Sequence, residues 1–280
     1  MKKISRRSFL AASGLTIAAL ALTACGGSAS TASSAASSVA ASSEAASTSA
    51  AAAELTTVEA GKLTMATNAT FPPYEMTTDA GDIEGIDVET AQAIADKLGL
   101  ELQIDDMDFD AALLSVQQGK ADIVMAGVTV TDERKAVMDF SDSYATGIQS
   151  IIVPEGSDIT SPDDLAGKKI GTQRGTTGYI YCSDDFGDDS VVAYDDGLTA
   201  VQALNNGQVD AVVIDNAPAK EFVAANPGLV LLDTSYAEED YAIGMAKGNT
   251  ALEDAVNAAL EELKADGTLQ SIVDKYITAE

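Results

Sequence analysis

Two ten-residue segments with the same pattern constrain the fold of this chain more than any other feature. They are VQQGKADIVM (116–125) and LNNGQVDAVV (204–213). Each pattern indicates the end of a helix, two side-chain amides, a glycine that easily adopts a left-handed backbone, and an aspartate before an apolar strand. Any junction of helix, glycine and strand has this form, but its recurrence favours two similar α/β units.

The sequence around the first copy alternates between predicted strands and helices. KLTMAT (62–67) alternates like a strand and leads into a proline-rich turn. DVETAQAIADKLGL (87–100) has its apolar residues on one helical face, with Asp87 as the predicted N-cap and Gly99 as the predicted end. A strand, a helix and an uninterrupted apolar strand follow (101–107, 109–119 and 121–128). This order predicts βαβ units and a mostly parallel sheet.

The first 24 residues predict an export signal. A cationic start precedes an apolar stretch too short to span a bilayer, and SRRSFL (5–10) resembles the twin-arginine motif, although ordinary signals also contain paired arginines. LTAC (22–25) resembles the bacterial lipobox, which implies cleavage before Cys25 and diacylation of that cysteine. A chance cysteine is the alternative. Lipidation would anchor the protein on the outer face of the cell membrane.

Residues 25–54 predict a disordered tether after the signal. Beyond Cys25 they are almost entirely Ser, Ala, Thr and Gly, and such a segment has too little apolar bulk to offset the entropy lost on ordering. The remaining residues are enough for one large domain or two lobes.

Charge and composition exclude several classes of function. The formal net charge is −28, and the signal itself carries only basic residues, so the exported chain is still more acidic and repels nucleic acid. The chain has no histidine, which removes His-dependent general bases, serine triads and most zinc sites. If Cys25 is acylated, Cys182 has no intramolecular disulfide partner and is predicted to be a buried apolar residue.

Several spaced motifs together resemble one family. GIDVETAQAIADKLGL, FDAALLSVQQGKADIVMAGVTVTDERKAVMDFSDSY, DDLAGKKIGTQRGTTG, ALNNGQVDAVVIDNAPA and LKADGTLQSIVDKYI occur in order between residues 62 and 277. They resemble the amino-acid-binding proteins of ABC importers, the family 3 extracellular solute-binding proteins. The resemblance implies an α/β, two-lobed periplasmic-binding-protein fold (a Venus flytrap). Each lobe would be a βαβ sheet sandwich, with two hinge strands between the lobes.

The resemblance also implies where the chain changes lobe. Lobe 1 would comprise residues 55–146 and 245–280, and lobe 2 residues 147–244. The crossings contain Gly147 and Gly244, where small backbone changes would swing a whole lobe. The alternative is that Gly147 and Gly244 are glycines of ordinary turns with no hinge role.

The family's carboxylate-binding arginine corresponds to Arg134, in TDER (131–134). By its residue type alone, Arg134 could be a solvated surface cation, but a guanidinium in a closed cleft holds a carboxylate with two charge-assisted hydrogen bonds. The resemblance assigns helper donors to Gly127 and Thr129, and to Thr176 and Thr177 of the opposite lobe, which could otherwise be N-caps.

The acceptor for the ligand's α-ammonium is implied to be Asp215, directly after the second repeat's strand. Capping of the next helix is the alternative for this acid.

Side-chain selectivity is expected from four further residues. Phe71 and Phe109 match positions where the family sandwiches the ligand's side chain, although each could be plain core. Asn68 and Gln173 are neutral. At the position of Asn68, several family members that bind cationic amino acids carry an aspartate instead. This favours an uncharged polar ligand such as glutamine. A basic ligand (arginine or lysine) is the alternative, because Glu75, Asp106 or Asp108 could lie within reach of the ligand's side chain. Arg174 could point either into the cleft or out to water.

The expected partners are a free amino acid, the permease of an ABC importer and, through the lipid, a membrane. A monomer without cofactor or metal is expected. A periplasmic dehydratase-like enzyme or the sensor subunit of a receptor are the alternatives within this fold. An enzyme without histidine would need carboxylates or lysine as acid and base, and no such pair stands out in the sequence.

Overall fold

The computed structural model of the protein describes residues 55–277. The predicted signal, Cys25 and the predicted tether lie outside these residues, as do the last three positions of the predicted lobe 1. None of the helices in the described part is both long and apolar enough to cross a membrane.

The described residues form an α/β structure. The strands are β1 (Lys62–Thr67), β2 (Thr70–Phe71), β3 (Glu75–Thr77), β4 (Ile83–Glu84), β5 (Glu101–Asp106), β6 (Ile123–Val124), β7 (Met138–Phe140), β8 (Ala145–Pro154), β9 (Ile170–Gln173), β10 (Val191–Tyr194), β11 (Ala211–Asp215), β12 (Leu229–Leu231), β13 (Ala237–Tyr241) and β14 (Gly244–Ala246). The α-helices are α1 (Ile86–Leu98), α2 (Phe109–Gln117), α3 (Asp132–Val137), α4 (Thr177–Phe186), α5 (Gly197–Asn205), α6 (Asn216–Ala225), α7 (Thr250–Ala265) and α8 (Thr268–Tyr276).

Two larger sheets define two lobes. The sheet of lobe 1 has the order β5-β1-β6-β14-β7, with β1 parallel to β5 and β6, and β14 antiparallel to β6 and β7. The sheet of lobe 2 has the order β10-β9-β11-β8-β12, with β9 parallel to β10 and β11, and β8 antiparallel to β11, β12 and β13. The predicted two-lobed α/β fold is therefore confirmed.

The two repeat segments occupy equivalent places in the two sheets. Gly119 and Gly207 follow α2 and α5 with φ angles of 66° and 65°, the left-handed backbone expected of glycine after a helix. Asp122 accepts a hydrogen bond from the Thr64 backbone N–H at 2.8 Å, and Asp210 accepts one from the Lys169 N–H at 2.7 Å. Each aspartate thus joins the start of one parallel strand to its neighbour, β6 to β1 in lobe 1 and β11 to β9 in lobe 2.

The chain crosses between the sheets twice, before β8 and after β13. β13 runs antiparallel to β8, with Tyr241 opposite Ala145, and the chain then enters β14 at Gly244. A Cβ atom on Gly147 would lie 2.4 Å from the Tyr241 ring, and one on Gly244 would lie 2.7 Å from Val124. Neither glycine has the positive φ that demands glycine, so close packing explains both residues here.

The start of α1 differs from the sequence prediction. Asp87 was expected to be the N-cap, but the N-cap is Gly85, with a φ of 140° and no room for a side chain, because a Cβ atom would lie 2.1 Å from the Tyr74 carbonyl oxygen. Asp87 instead lies in the first turn and is fully buried. Its carboxylate accepts a hydrogen bond from the Gly127 N–H at 2.9 Å, so this acid ties α1 to the loop after β6.

Candidate ligand-binding site

A pocket lies between the two lobes. All ten residues that the sequence analysis proposed as ligand contacts line it, together with three others. The lining residues are Asn68, Phe71, Glu75, Phe109, Ala126, Gly127, Thr129, Arg134, Gln173, Thr176, Thr177, Ile214 and Asp215.

Arg134 is held in the pocket by α3. The Thr131 hydroxyl accepts the Arg134 backbone N–H at 3.2 Å, which caps this short helix. The side chain is only 8% exposed, its guanidinium lies 5.4 Å from the centre of the Phe109 ring, and it donates hydrogen bonds to the carbonyl oxygens of Thr129 and Gly175 at 2.7 and 3.1 Å. Arg134 is therefore a buried cation that reaches across to lobe 2.

Asp215 faces the same pocket from lobe 2. It is the N-cap residue of α6, where β11 passes into that helix, but its side chain makes no capping hydrogen bond among the described residues and lines the pocket. One carboxylate oxygen accepts from the Gln149 side-chain amide at 2.7 Å, while the other is buried without a hydrogen-bond partner. Burial raises the pKa of Asp215 to about 7. A cation beside this carboxylate would favour its ionised form.

Helix α4 begins at the pocket wall. Thr176 is its N-cap, and the Thr176 hydroxyl accepts the Tyr179 backbone N–H at 3.3 Å. Thr177 has no such capping role, and its hydroxyl lies 3.5 Å from that of Thr129 in lobe 1. The partial positive charge of a helix N-terminus favours an anionic group here.

Two aromatic and two amide side chains also line the pocket. Phe71 and Phe109 are buried and belong to the apolar cores of the protein as well as to the pocket wall. Gln173 donates a hydrogen bond to the Asn68 side-chain oxygen at 2.8 Å, which joins the lobes. Arg174 points outward, since its side chain is 53% exposed and lies 3.5 Å from the Asp195 carboxylate.

Glu75 is a lining residue that the sequence analysis did not select. It is fully buried at the start of β3, and neither of its carboxylate oxygens has a hydrogen-bond partner. Burial, reinforced by the nearby Asp87 carboxylate, raises the pKa of Glu75 well above its usual value. Asp106 and Asp108, the other acids considered, are not lining residues. The sequence signal for Glu75 is an acid directly after the proline-rich turn.

A second buried acid, Glu239, lies behind the Arg134 and Asp215 side chains and was also missed. Its carboxylate accepts hydrogen bonds from the Thr129 hydroxyl at 3.1 Å and from the Gln149 amide at 3.0 Å. Gln149 thus donates to both Glu239 and Asp215, and it fixes the position of the two carboxylates relative to each other.

Comparison with known proteins agrees with this geometry. Residues 63–279 match the family model described as bacterial extracellular solute-binding proteins, family 3. The chain belongs to this family.

Individual relatives cover most of the chain. It is 34% identical over 226 residues to the L-cystine-binding protein TcyJ of Escherichia coli (strain K12), covering 79% of this chain and 85% of that protein. An ancestral arginine-binding protein bound to glutamine has 41% identity and a TM-score of 0.75, covering 78% of this chain and 99% of that one. The arginine-, lysine-, histidine-binding protein ArtJ from Geobacillus stearothermophilus has 34% identity and a TM-score of 0.75, covering 78% and 96%. Each of these three relatives is named as a binding protein.

Proposed function

We propose that the protein captures a free amino acid between its lobes and delivers it to the permease of an ABC importer. One observation carries this proposal: the Arg134 guanidinium of lobe 1 and the Asp215 carboxylate of lobe 2 line the same buried pocket. They have the charges needed to hold the α-carboxylate and the α-ammonium of one zwitterion. The names of the relatives support an amino acid as the ligand.

The other lining residues have roles that their chemistry suggests. The Thr129, Thr176 and Thr177 hydroxyls would add donors and acceptors around the ligand's two charged groups. The Gly127 N–H is already donated to Asp87, so the helper donor expected at Gly127 is replaced by its carbonyl oxygen, an acceptor. Phe71 and Phe109 supply the apolar faces that pack on the ligand's aliphatic chain.

The pocket best fits a ligand with a basic side chain, of which arginine is the first candidate. Glu75 supports this choice, because a fully buried carboxyl with two unpartnered oxygens is well matched to a guanidinium. Glutamine, the ligand expected from the sequence, is the second candidate. The neutral Asn68 and Gln173 support it, as does the ancestral arginine-binding protein that binds glutamine.

Calorimetric titration with arginine, lysine, glutamine, histidine and cystine tests the proposal. We expect the tightest binding with arginine and measurable binding with glutamine. Saturable heat without continued turnover would exclude the enzyme alternative. Absence of binding to every amino acid of the panel would contradict the proposed function, whereas tight binding of another amino acid would contradict only the choice of side chain.

The lobes are proposed to close on the ligand. Residues 55–146 and 245–280 would move as lobe 1 against residues 147–244 as lobe 2, about the two crossing strands. Only the closed form offers both charged contacts, so the ligand stabilises that form by its differential affinity. Small-angle scattering should show a smaller radius of gyration with the ligand than without it.

Export and anchoring complete the proposed function. Residues 1–24 would direct export, Cys25 would carry the lipid, and residues 25–54 would tether a monomeric binding domain to the membrane. The substitution Cys25→Ala should release the protein from membranes, and deletion of residues 30–50 should leave amino-acid affinity unchanged. Retention of the processed Cys25→Ala protein on membranes would contradict the lipid anchor.

A further inference from the structure

Two buried carboxyl groups of lobe 1 are neighbours, because the Asp87 backbone N–H donates a hydrogen bond at 2.9 Å to the carbonyl oxygen of Tyr74, the residue before Glu75. Glu75, at the start of β3, and Asp87, in the first turn of α1, are both 0% exposed. One oxygen of Asp87 accepts the Gly127 N–H, whereas its other oxygen and both oxygens of Glu75 have no hydrogen-bond partner. Glu75 lines the pocket and Asp87 does not. Asp87 therefore lies behind Glu75 and can act on a ligand only through it.

Among residues 55–277, the surroundings of Glu75 supply further acids and no cation. The titratable groups that act on it are Asp87 of α1, Asp106 at the end of β5, Asp215 at the end of β11, and the phenols of Tyr74 and Tyr144. Arg134, the pocket's cation, is engaged by two carbonyl oxygens.

Two adjacent buried carboxylates without a cation cannot both stay ionised. Burial raises the pKa of Asp87 to about 6, and the Gly127 N–H opposes this rise. The pKa of Glu75 rises well above its usual value. The pair therefore holds one proton near neutral pH, chiefly on Glu75.

We infer that Glu75 and Asp87 form a proton-sharing pair that adapts one pocket to both neutral and cationic side chains. With a neutral amide, Glu75 keeps the proton and donates it in a hydrogen bond to the amide oxygen. With a guanidinium or ammonium, the pair releases that proton to solvent, and the Glu75 carboxylate accepts hydrogen bonds from the cation. This inference rests on the proposed amino-acid-binding function, and it makes Asp87 a positioning residue for the proton.

The exchange gives the two ligands different pH dependences. Binding of arginine expels a proton, so its affinity rises with pH by up to about tenfold per unit, until the free protein has lost the proton. Binding of glutamine leaves this proton in place, so the ratio of arginine to glutamine affinity rises with pH, whereas any proton that Asp215 loses beside the ligand's α-ammonium is common to both ligands.

Calorimetry in two buffers with different ionisation enthalpies measures the number of protons exchanged. Near neutral pH we expect arginine to release about one proton more than glutamine does. Equal proton release by the two ligands between about pH 6 and about pH 8 would overturn this inference and leave the proposed ligand class intact. Failure of arginine to bind at any pH would contradict the proposed ligand class and this inference together.

Three variants separate proton sharing from a merely structural role. Glu75→Gln should abolish the additional proton release that arginine shows over glutamine, and weaken arginine binding at least about tenfold more than glutamine binding. Asp87→Asn keeps an oxygen for the Gly127 N–H but removes the like charge, so the pKa of Glu75 falls and arginine releases fewer protons at neutral pH. Asp96→Asn makes the same change on the exposed face of α1 and should match the wild type. If Asp87→Asn released as many protons on arginine binding as the wild type, proton sharing would be contradicted. Equal weakening of arginine and glutamine binding in Glu75→Gln would also contradict it.

Discussion

The two lobes have the same arrangement of strands but give the pocket opposite charges. Each sheet begins with three parallel strands, β5-β1-β6 in lobe 1 and β10-β9-β11 in lobe 2. An antiparallel strand next to a crossing follows, β14 or β8, and then an edge strand, β7 or β12. After the third strand, lobe 1 continues through an extended segment into α3, which carries Arg134, whereas lobe 2 passes directly into α6 at Asp215. The lobes therefore owe their opposite charges to the segment after the third strand.

This difference makes the pocket complementary to a zwitterion. Arg134 and Asp215 are 8% and 7% exposed, and neither lies within ion-pair distance of an opposite charge among the described residues. A buried charge without a partner is costly, and a ligand with both charges satisfies the two lobes at once. The lobes are therefore alike in the order of their strands and differ in the charged side chain that each presents to the ligand.

The largest effect is expected from removal of the cation in lobe 1. Arg134→Ala should lower amino-acid affinity by about a thousandfold or more, because the ligand's carboxylate then lacks its charged partner. Arg134→Lys should also bind poorly, since lysine lacks the planar fork of donors. Calorimetry gives the affinity, and thermal unfolding shows whether the fold persists. Near-wild-type affinity in either variant would remove Arg134 from the site.

A smaller loss is expected from neutralisation of the acid in lobe 2. Asp215→Asn keeps an oxygen for the Gln149 amide but removes the charge that balances the α-ammonium, so affinity should fall by about a hundredfold. Asp210→Asn is a matched control in the same lobe, because Asp210 is exposed and binds only the Lys169 N–H among the described contacts. Equal affinities of the two variants would contradict the role of Asp215.

The crossings between the lobes predict an effect on stability. Gly147→Ala would place a Cβ atom 2.4 Å from the fully buried Tyr241 ring. The ring or the strand must shift, which should lower the free energy of unfolding by about 1–3 kcal/mol. Chemical denaturation measures this change. Unchanged stability would show that the crossing tolerates displacement of Tyr241.

The smallest effect is expected for the side-chain end of the pocket. Asn68→Asp keeps the acceptor for Gln173 but replaces the donor that Asn68 presents to the Met107 carbonyl. The added carboxylate should shift the ratio of arginine to glutamine affinity by about tenfold toward arginine. Parallel titrations with both ligands measure the ratio. A shift toward glutamine would show that Asn68 does not face the ligand's side chain.

The spaced motifs, through the family resemblance that they carry, predicted the two lobes and the ten residues that line the pocket. Glu239 could not be selected, because AEEDY (237–241) offers three consecutive acids and only pairing with β8 shows that Glu239 is the buried one. Asp87 was placed wrongly as an N-cap, because the contact of Gly85 with Tyr74 fixes the helix start and depends on tertiary packing.

The central claim is that one zwitterion joins the cation of lobe 1 to the acid of lobe 2. The most direct test is calorimetric comparison of the preferred amino acid with its α-keto analogue, which keeps the carboxylate and the side chain but lacks the ammonium. We predict that wild-type protein binds the analogue at least about a hundredfold more weakly. Equal affinity for the two compounds would contradict the account, because Asp215 would then make no contact with the ligand's ammonium.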